Sequence, residues 1–491
     1  MTATALSARR EITDKALVRS FSYINGKWCA AESNETFSVT DPGTGAFLGE
    51  VAALSAAESV RAVDVAQAAF ASWSGLLPQE RSVILRRWFD LLIEHKEDLA
   101  RIMVLEQGKP LSEARGEISY AASFIEFYAE EAKRPNIEGV TSHLHRAEVE
   151  VWLEPVGVAA LITPWNFPCA MLTRKAAAAL AVGCTVVAHP SGETPYSALA
   201  LAELAERAGI PAGVFNVVTG RAATIVEPWT KDTRVRVLSF TGSTEIGRLL
   251  YRQSADTVKK LVMELGGHAP VIVFKGADME TAVNETIKAK FATSGQDCLG
   301  ANRIFVERTV YGEFCEKFTA ATKALTIGVG MDDCDIGPLM NEKAVQKQEE
   351  HVADALAKGA KLACGGARHD LGPLFYQPTV LVDVPDDALI LRDETFGPVA
   401  AILPFDTEGE VVARANDTEY GLVAYLHTND PRRIYRVSRA LQFGMVAVNR
   451  TQVTGAPIPF GGTKQSGLGR EGARLGMEEF TEIKYVCRDW A

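Results

Sequence analysis

From about Ala159 to Gly247 the chain alternates short apolar, β-branched runs with helical stretches, and nothing else in it constrains the fold as much. "VGVAALIT" reads as a strand, "AMLTRKAAAALAVG" as a helix ended by Gly183, and "CTVVAHP" as a strand. "SALALAELAERAG" follows as a helix ended by Gly209, then "GVFNVVTG" and "RVRVLSFTG" as strands, with "STEIGRLLYRQ" opening a helix. Continuously apolar strands that alternate with helices predict a parallel sheet covered on both faces. Such sheets bind ligands in the crevice beyond the carboxyl ends of their strands.

A second α/β region is expected from "APVIVF" at Ala269 through "VAAILPF" ending at Phe405. "RAEVEVWLEP" (Arg146 to Pro155) and "FTEIKYVC" (Phe480 to Cys487) behave differently, alternating with a period of two as half-exposed strands do. Lying far apart in sequence, they are expected to pair across a subunit boundary. With 491 residues the chain exceeds what one core holds, roughly 250–300 residues. A net charge of -11 disfavours nucleic acid as a partner. No stretch approaches the roughly 18 uninterrupted apolar residues of a membrane span. The stretch holding Arg9, Arg10, Glu11 and Asp14 lacks the apolar core of a secretory signal. Eight cysteines without C-x-x-C or metal-ligand spacing point to free thiols in a reducing, cytoplasmic setting and to no metal site.

Three features carry candidate chemistry. Glu264 ends an apolar run in "MELGGHAP", Cys298 sits in the small-residue stretch "SGQDCLGANR", and Asn166 lies between bulky rings in "TPWNFP". Each alone is ordinary. An isolated Cys is most often a small buried hydrophobe, and an Asn beside Pro is most often a turn residue. Glycines around Cys298 would nevertheless let a backbone approach a substrate closely.

Together these features resemble the aldehyde dehydrogenase superfamily along nearly the whole chain. "PWNFP" (Pro164 to Pro168), "FTGSTEIG" (Phe240 to Gly247), "MELGG" (Met263 to Gly267), "GQDC" (Gly295 to Cys298), "ETFGPV" (Glu394 to Val399) and "PFGGTKQSGLGREG" (Pro459 to Gly472) occur in that family's order. "MLTRK", "SALALAELAERAGIPAGVFNVVTG" and "KQSGLGREG" are most similar to the branch that acts on succinate semialdehyde. The resemblance implies an α/β fold with a Rossmann-like cofactor domain (residues 1–131 and 155–262), an α/β catalytic domain (263–460) and a small β oligomerisation arm (132–154 and 475–491). It also implies self-association into a homodimer or homotetramer.

By the same resemblance Cys298 is the nucleophile, attacking the aldehyde carbon to give a thiohemiacetal and then a thioester. The Asn166 amide and the Cys298 backbone N–H hold the oxyanion, and Glu264 activates the hydrolytic water. Family members that pass the acyl group to coenzyme A lack that glutamate. Cofactor contacts fall to Thr163, Pro164, Trp165, His189, Ser191, Gly192, Gly242, Ser243, Leu265, Glu394 and Phe396, with Gly242 and Ser243 opening a helix where a pyrophosphate is favoured. Phe167 and Phe460 would border the substrate. Lys175 reads equally as a supporting residue or as a helix-surface lysine.

The chain also departs from the family's pattern. Where most relatives carry Val-Lys-Pro, a small residue and Glu, it has Ala188, His189, Pro190, Ser191 and Gly192. Gly192 neither repels a 2′-phosphate nor grips a 2′-hydroxyl, and a neutral His189 holds phosphate weakly. Both NAD and NADP are therefore expected as cofactors, with a slight preference for NAD. His268 replaces the usual Asn and is read as a packing residue. Of the branch's two carboxylate-binding arginines, Arg174 matches the first and is expected to point into the same funnel as Asn166; the second has become Ala292, with Arg450 a candidate substitute. A carboxylate-bearing semialdehyde leads as substrate. A broad aliphatic or aromatic aldehyde dehydrogenase and a catalytically silent relative are the alternatives.

Overall fold

The computed structural model describes residue 6, residues 11–134 and residues 136–489. The stretch containing Arg9 and Arg10 lies outside the described residues. Five parallel strands form the middle of an eight-stranded sheet, in the spatial order Lys260–Glu264, Val235–Thr241, Val158–Ile162, Thr185–His189 and Phe215–Val217. Antiparallel strands finish the edges, Gly467–Leu468 on one side and Ser22–Ile24 with Lys27–Cys29 on the other. Alternate side chains pack on opposite faces, as the strand period requires. Ala159, Leu161 and Val186 join one core, while Val158, Ala160 and Val187 join another with Ile225 and Trp229.

The helices Pro168–Val182 and Pro195–Ala208 cover the first of these faces. Both begin with proline, have no side-chain cap of their own, and end on a left-handed glycine, Gly183 at φ 105° and Gly209 at φ 90°. Their first N–H groups are satisfied from elsewhere by buried glutamates. Glu106 accepts from Tyr196 N (2.8 Å) and Ser197 N (2.7 Å), and Glu117 accepts from Cys169 N (3.0 Å) and Ala170 N (3.2 Å). Each carboxylate thus does the work of an N-cap across a helix–helix contact.

Strand Val158–Ile162 is the first of the parallel set, and its successors lie on both sides of it, Thr185–His189 on one and Val235–Thr241 on the other. This reversal of strand order leaves a crevice at the carboxyl ends of the two neighbours. A seven-stranded sheet follows, parallel except for its edge strand Lys361–Cys364, with Ala269–Val273 and Ala301–Glu307 adjacent in the middle. Only Leu265, Gly266, Gly267 and His268 separate the last central strand of the first sheet from the first strand of the second.

The two alternating segments are strands, Ala147–Pro155 and Thr481–Asp489, but they pair antiparallel with each other within one chain, joined by Ile137–Val140. The expected pairing of these two segments across a subunit boundary is corrected: each finds the other in the same chain, and Thr481–Asp489 is left as an edge strand of the three-stranded sheet. Among the described residues no helix is long and apolar enough to cross a membrane.

Replacing Glu106 with Ala should leave two helix N–H groups uncapped in the core and destabilise the fold by about 2–3 kcal/mol. The check is a lowered urea midpoint at unchanged slope; an unmoved midpoint would show that this cap contributes nothing.

Candidate active site

At the strand reversal a cavity of about 480 Å³ opens between the sheets, and Asn166, Glu264 and Cys298 all line it. Asn166 arrives on the turn after Val158–Ile162, Glu264 ends its strand, and Cys298 precedes Ala301–Glu307. The glycine pair after Glu264 makes this convergence possible. A Cβ on Gly267 would lie 2.2 Å from the Cys298 carbonyl oxygen, and one on Gly266 would lie 2.9 Å from Glu394 Oε2. Gly267 N–H donates to Glu394 Oε1 at 2.9 Å, tying a third loop to the same point.

The segment before Cys298 is strained and firmly held. Thr293 and Ser294 are successive left-handed residues, at φ 50° and 56°. Non-glycine residues adopt this conformation only where surroundings impose it. Here Glu113 Oε2 accepts from Thr293 N (2.9 Å), Ser294 Oγ accepts from Gly337 N (3.0 Å), and Gln296 Oε1 accepts from Met340 N (2.8 Å). Asn166 Nδ2 donates to Gln296 O at 3.0 Å, so the amide already faces the Cys298 loop.

Burial pushes the Cys298 thiol well above its usual range, and the nearby Glu264 carboxyl adds to the shift. Burial, with repulsion from Glu471 behind it, raises Glu264 to about 8. Neither Glu264 oxygen has a hydrogen-bond partner among the described residues, although the group is 2% exposed. A carboxyl so raised is mostly protonated at pH 7 and becomes a base as pH rises through about 8.

Beneath this lies a buried charge cluster. Glu471 pairs with Arg174 Nη2 (2.6 Å) and with Lys175 Nζ, which also donates to Ser239 Oγ (3.1 Å). Burial opposes the charge of Arg174, but Glu471 more than restores it; for Lys175 burial prevails and lowers the pKa. The Arg174 guanidinium stands 4.3 Å from the centre of the Phe460 ring, and its Nε and Nη1 have no hydrogen-bond partner among the described residues. Lys175 is therefore buried, and its reading as a helix-surface lysine is corrected.

A second cavity of about 1010 Å³ shares Pro164, Trp165, Thr241, Gly242 and Ser243 with the first, so the two form one elongated cleft. Thr163, His189, Ser191 and Gly192 line its far end together with Arg221, Glu35 and Glu193. Ser243 caps the helix Thr244–Ser254 by accepting from Ile246 N. The His189 ring interacts through Nδ1 with Val218 O at 2.9 Å, and burial lowers its pKa to about 4, so it is neutral at pH 7. Leu265, Glu394 and Phe396 line the inner cavity; Phe396 is held at φ 49° with its ring edge-on to Trp165, centroids 5.6 Å apart.

Arg174 does not line the cavity. It lies behind Met171, which borders the cavity and touches Arg174 Nη2 through its sulfur at 2.9 Å. The expectation that Arg174 points into the funnel is corrected, because Glu471 draws the guanidinium inward. Phe460 likewise covers Arg174 and is not among the cavity's lining residues. Phe167 packs under the Lys109 ammonium instead of bordering the cavity, with Nζ 4.1 Å from its ring centre, and Arg450 is exposed beyond Met445–Val448. His268 is wholly buried at the start of Ala269–Val273. Sequence reasoning missed Lys109, Glu113, Glu117, Glu471 and the cavity-lining pair Lys343 and Lys347. Only the last two carry a local signal, one helical turn apart on Glu342–Ala357. Among the described residues no group of three or more His, Cys, Asp or Glu side chains is placed to hold a metal ion.

The aldehyde dehydrogenase family model matches residues 28–486. The chain is 52% identical over 478 residues to the NADP(+) succinate-semialdehyde dehydrogenase GabD of Escherichia coli (strain K12), covering 97% of this chain and 99% of that one. It is 50% identical to a glutarate-semialdehyde dehydrogenase of Pseudomonas aeruginosa, over 97% of this chain and 99% of that one. The crystal structure of succinate-semialdehyde dehydrogenase from Burkholderia pseudomallei superposes with a TM-score of 0.97 at 51% identity, covering 98% of this chain and all of that one.

Gly267→Ala should force the Cys298 carbonyl away and lower kcat/KM by at least about tenfold, since a displacement of an ångström at reacting groups can cost on the order of 100-fold. Steady-state kinetics beside a thermal melt checks this; full activity would show that the close approach is dispensable.

Proposed function

This chain belongs to the aldehyde dehydrogenase family, and we propose that it oxidises an aldehyde bearing a distal carboxylate to the corresponding acid, using NAD or NADP. The observation that carries this reading is the meeting of Cys298, Glu264 and Asn166 in one cavity continuous with a cleft at the strand reversal. The cleft fits a dinucleotide: Gly242 and Ser243 present a helix N-terminus suited to a pyrophosphate, and Glu394, held by Gly267 N–H, is an acceptor for ribose hydroxyls. When bound, the nicotinamide supplies the hydride acceptor.

In this reading the Cys298 thiol releases its proton to water, which is the one proton of the overall balance, and its sulfur attacks the aldehyde carbon. The oxyanion is received by Asn166 Nδ2–H and the Cys298 backbone N–H, a contribution usually worth about 100- to 1000-fold per donor. Loss of hydride leaves a thioester on Cys298. Glu264 removes a proton from water, the hydroxide adds to the thioester carbon, and sulfur departs with the acid as product. One aldehyde, one water and one oxidised cofactor give one acid, one reduced cofactor and one proton.

The semialdehyde reading is supported by the relatives' substrates and by Arg174, whose two unpartnered nitrogens suit a carboxylate. Met171, unbranched and flexible, would swing aside to admit it. Arg450 is the candidate second cation. A broad aliphatic or aromatic specificity is the second reading, favoured by the position of Met171 over Arg174 and by Ala292. At the adenine end, neutral His189 with Glu35 and Glu193 favours NAD, whereas Arg221 and the room beside Gly192 admit NADP; we infer use of both with a slight preference for NAD. Exposed Ile137, Val140, Ile483 and Tyr485 on the three-stranded sheet support assembly into a homodimer or homotetramer. Cysteines free of disulfides support a cytoplasmic setting.

Glu264→Gln should give a burst of reduced cofactor followed by a slow steady state, read by single-turnover absorbance. In the unsubstituted protein deacylation should accelerate as pH rises through about 8, because a carboxyl with a raised pKa gains its basic form only there. A Glu264→Gln variant that deacylates at full rate would remove Glu264 from this role.

Arg174→Ala should lower kcat/KM for a semialdehyde by well over about tenfold, since losing a buried charge partner costs roughly 2–5 kcal/mol. Because Arg174 is also the buried counter-ion of Glu471, a neutral aldehyde of similar length should lose rate as well, but by several-fold less. Equal losses for both would overturn the semialdehyde reading in favour of a general aldehyde dehydrogenase.

A further inference from the structure

One buried ion pair lies outside the cavity yet grips the turn that carries Asn166 and the first turn of the helix that follows it. Lys109 and Glu117 have side chains 0% and 1% exposed and meet at 2.5 Å. The Lys109 ammonium also donates to the Asn166 carbonyl oxygen at 2.7 Å and stands over the Phe167 ring. The other Glu117 oxygen takes the first N–H groups of the helix that follows the turn, those of Cys169 and Ala170. The backbone of Asn166 is therefore fixed at its own carbonyl by Lys109, and the chain three and four residues beyond it by Glu117.

The pair itself has nowhere to move. Gly108, at φ 90°, aims Lys109 into the core, and a Cβ there would lie 2.6 Å from Pro338 and 2.9 Å from Pro42. Lys109 N–H donates to Gln107 Oε1 at 2.8 Å. A buried ion pair is weak evidence for stability, because apolar residues of similar volume often stabilise a core as well or better. What apolar residues cannot supply is a directed donor for one carbonyl and a directed acceptor for two N–H groups. The carbonyl that Lys109 holds is one bond from the Cα bearing the Asn166 amide, and that amide reaches Gln296 O, two residues before Cys298.

We propose that Lys109 and Glu117 are positioning residues for the oxidation: they orient the Asn166 amide toward the Cys298 sulfur and touch neither substrate nor cofactor. This rests on the reading of Asn166 as an oxyanion donor. Phe167 and Pro168 seat the same turn, but neither offers a donor to the Asn166 carbonyl.

The test is a double-mutant cycle on the full chain with Lys109→Met, Asn166→Ala and their combination, read as the single-turnover rate of cofactor reduction. Lys109→Met should slow this step by about 10-fold or more while cofactor Kd and aldehyde KM change by less than about threefold. In the Asn166→Ala background the same substitution should slow it by less than about twofold, because the group it positions is gone. Lys109→Arg should recover part of the rate. Lys109→Met leaves Glu117 buried without a counter-charge, so Lys109→Met/Glu117→Gln, which removes both charges, repeats the cycle if the single variant fails to fold. Equal losses in both backgrounds, or an unchanged rate in the Lys109 variants, overturn the proposal. Full activity in Asn166→Ala alone overturns instead the oxyanion reading on which it rests.

Discussion

The site depends on a single steric condition, that the backbone of Gly267 and the carbonyl of Cys298 occupy neighbouring space with no side chain between them. From this contact the geometry follows. Glu264 ends the last central strand of one sheet, the next sheet begins at Ala269, and Cys298 lies in the turn that leads into the adjacent strand of that second sheet. An acid and a thiol from different sheets are thereby held on one cavity wall. Glu394 joins them because the same glycine supplies the N–H it accepts. Backbone approach, not side-chain reach, sets these distances, which is why rigid strands can position the chemistry more finely than a loop alone.

Much of this is legible in the sequence. The central strands and their helices stand out because the elements are strongly periodic and two of the helices stop on a glycine that turns left-handed, Gly183 and Gly209. The six motifs bring Cys298, Glu264, Asn166 and the residues around Gly242 and Glu394 to one cleft. What escapes are contacts between residues distant in sequence. Nothing local distinguishes Glu106 or Glu117 from solvated helix glutamates, since what they cap is built later in the chain. Lys175 and Arg174 look like the polar edge of a helix, yet every residue of Pro168–Val182 is buried. Their counter-ion, Glu471, lies 296 residues beyond Lys175, inside a glycine-rich motif that gives no hint of a buried charge. The two alternating arms are legible as strands, while the identity of their partner depends on topology that alternation does not encode.

Electrostatically the cavity is a stack of opposed tendencies. Burial drives both Glu264 and Cys298 toward their neutral forms, and the positive end of the Arg174–Lys175–Glu471 cluster pulls against that. Both groups are thus disfavoured in their charged forms by their surroundings, and a ligand or a rise in pH would alter that balance. The strained residues Thr293 and Ser294 belong to the same picture, since the bonds from Glu113, Gly337 and Met340 leave the Cys298 loop no relaxed alternative.

The shared counter-ion Glu471 also bears on how the protein is made. During synthesis Arg174 and Lys175 emerge long before it, and without Glu471 they would be two adjacent cations with no neutralising partner in an apolar core. Desolvating them at that stage is strongly unfavourable. The helix that carries them therefore cannot settle permanently until the late segment with Phe460 and Glu471 docks. The floor beneath Glu264 therefore depends on one of the later segments of the chain, and a chain cut short before Glu471 would lack the counter-ion on which that floor rests.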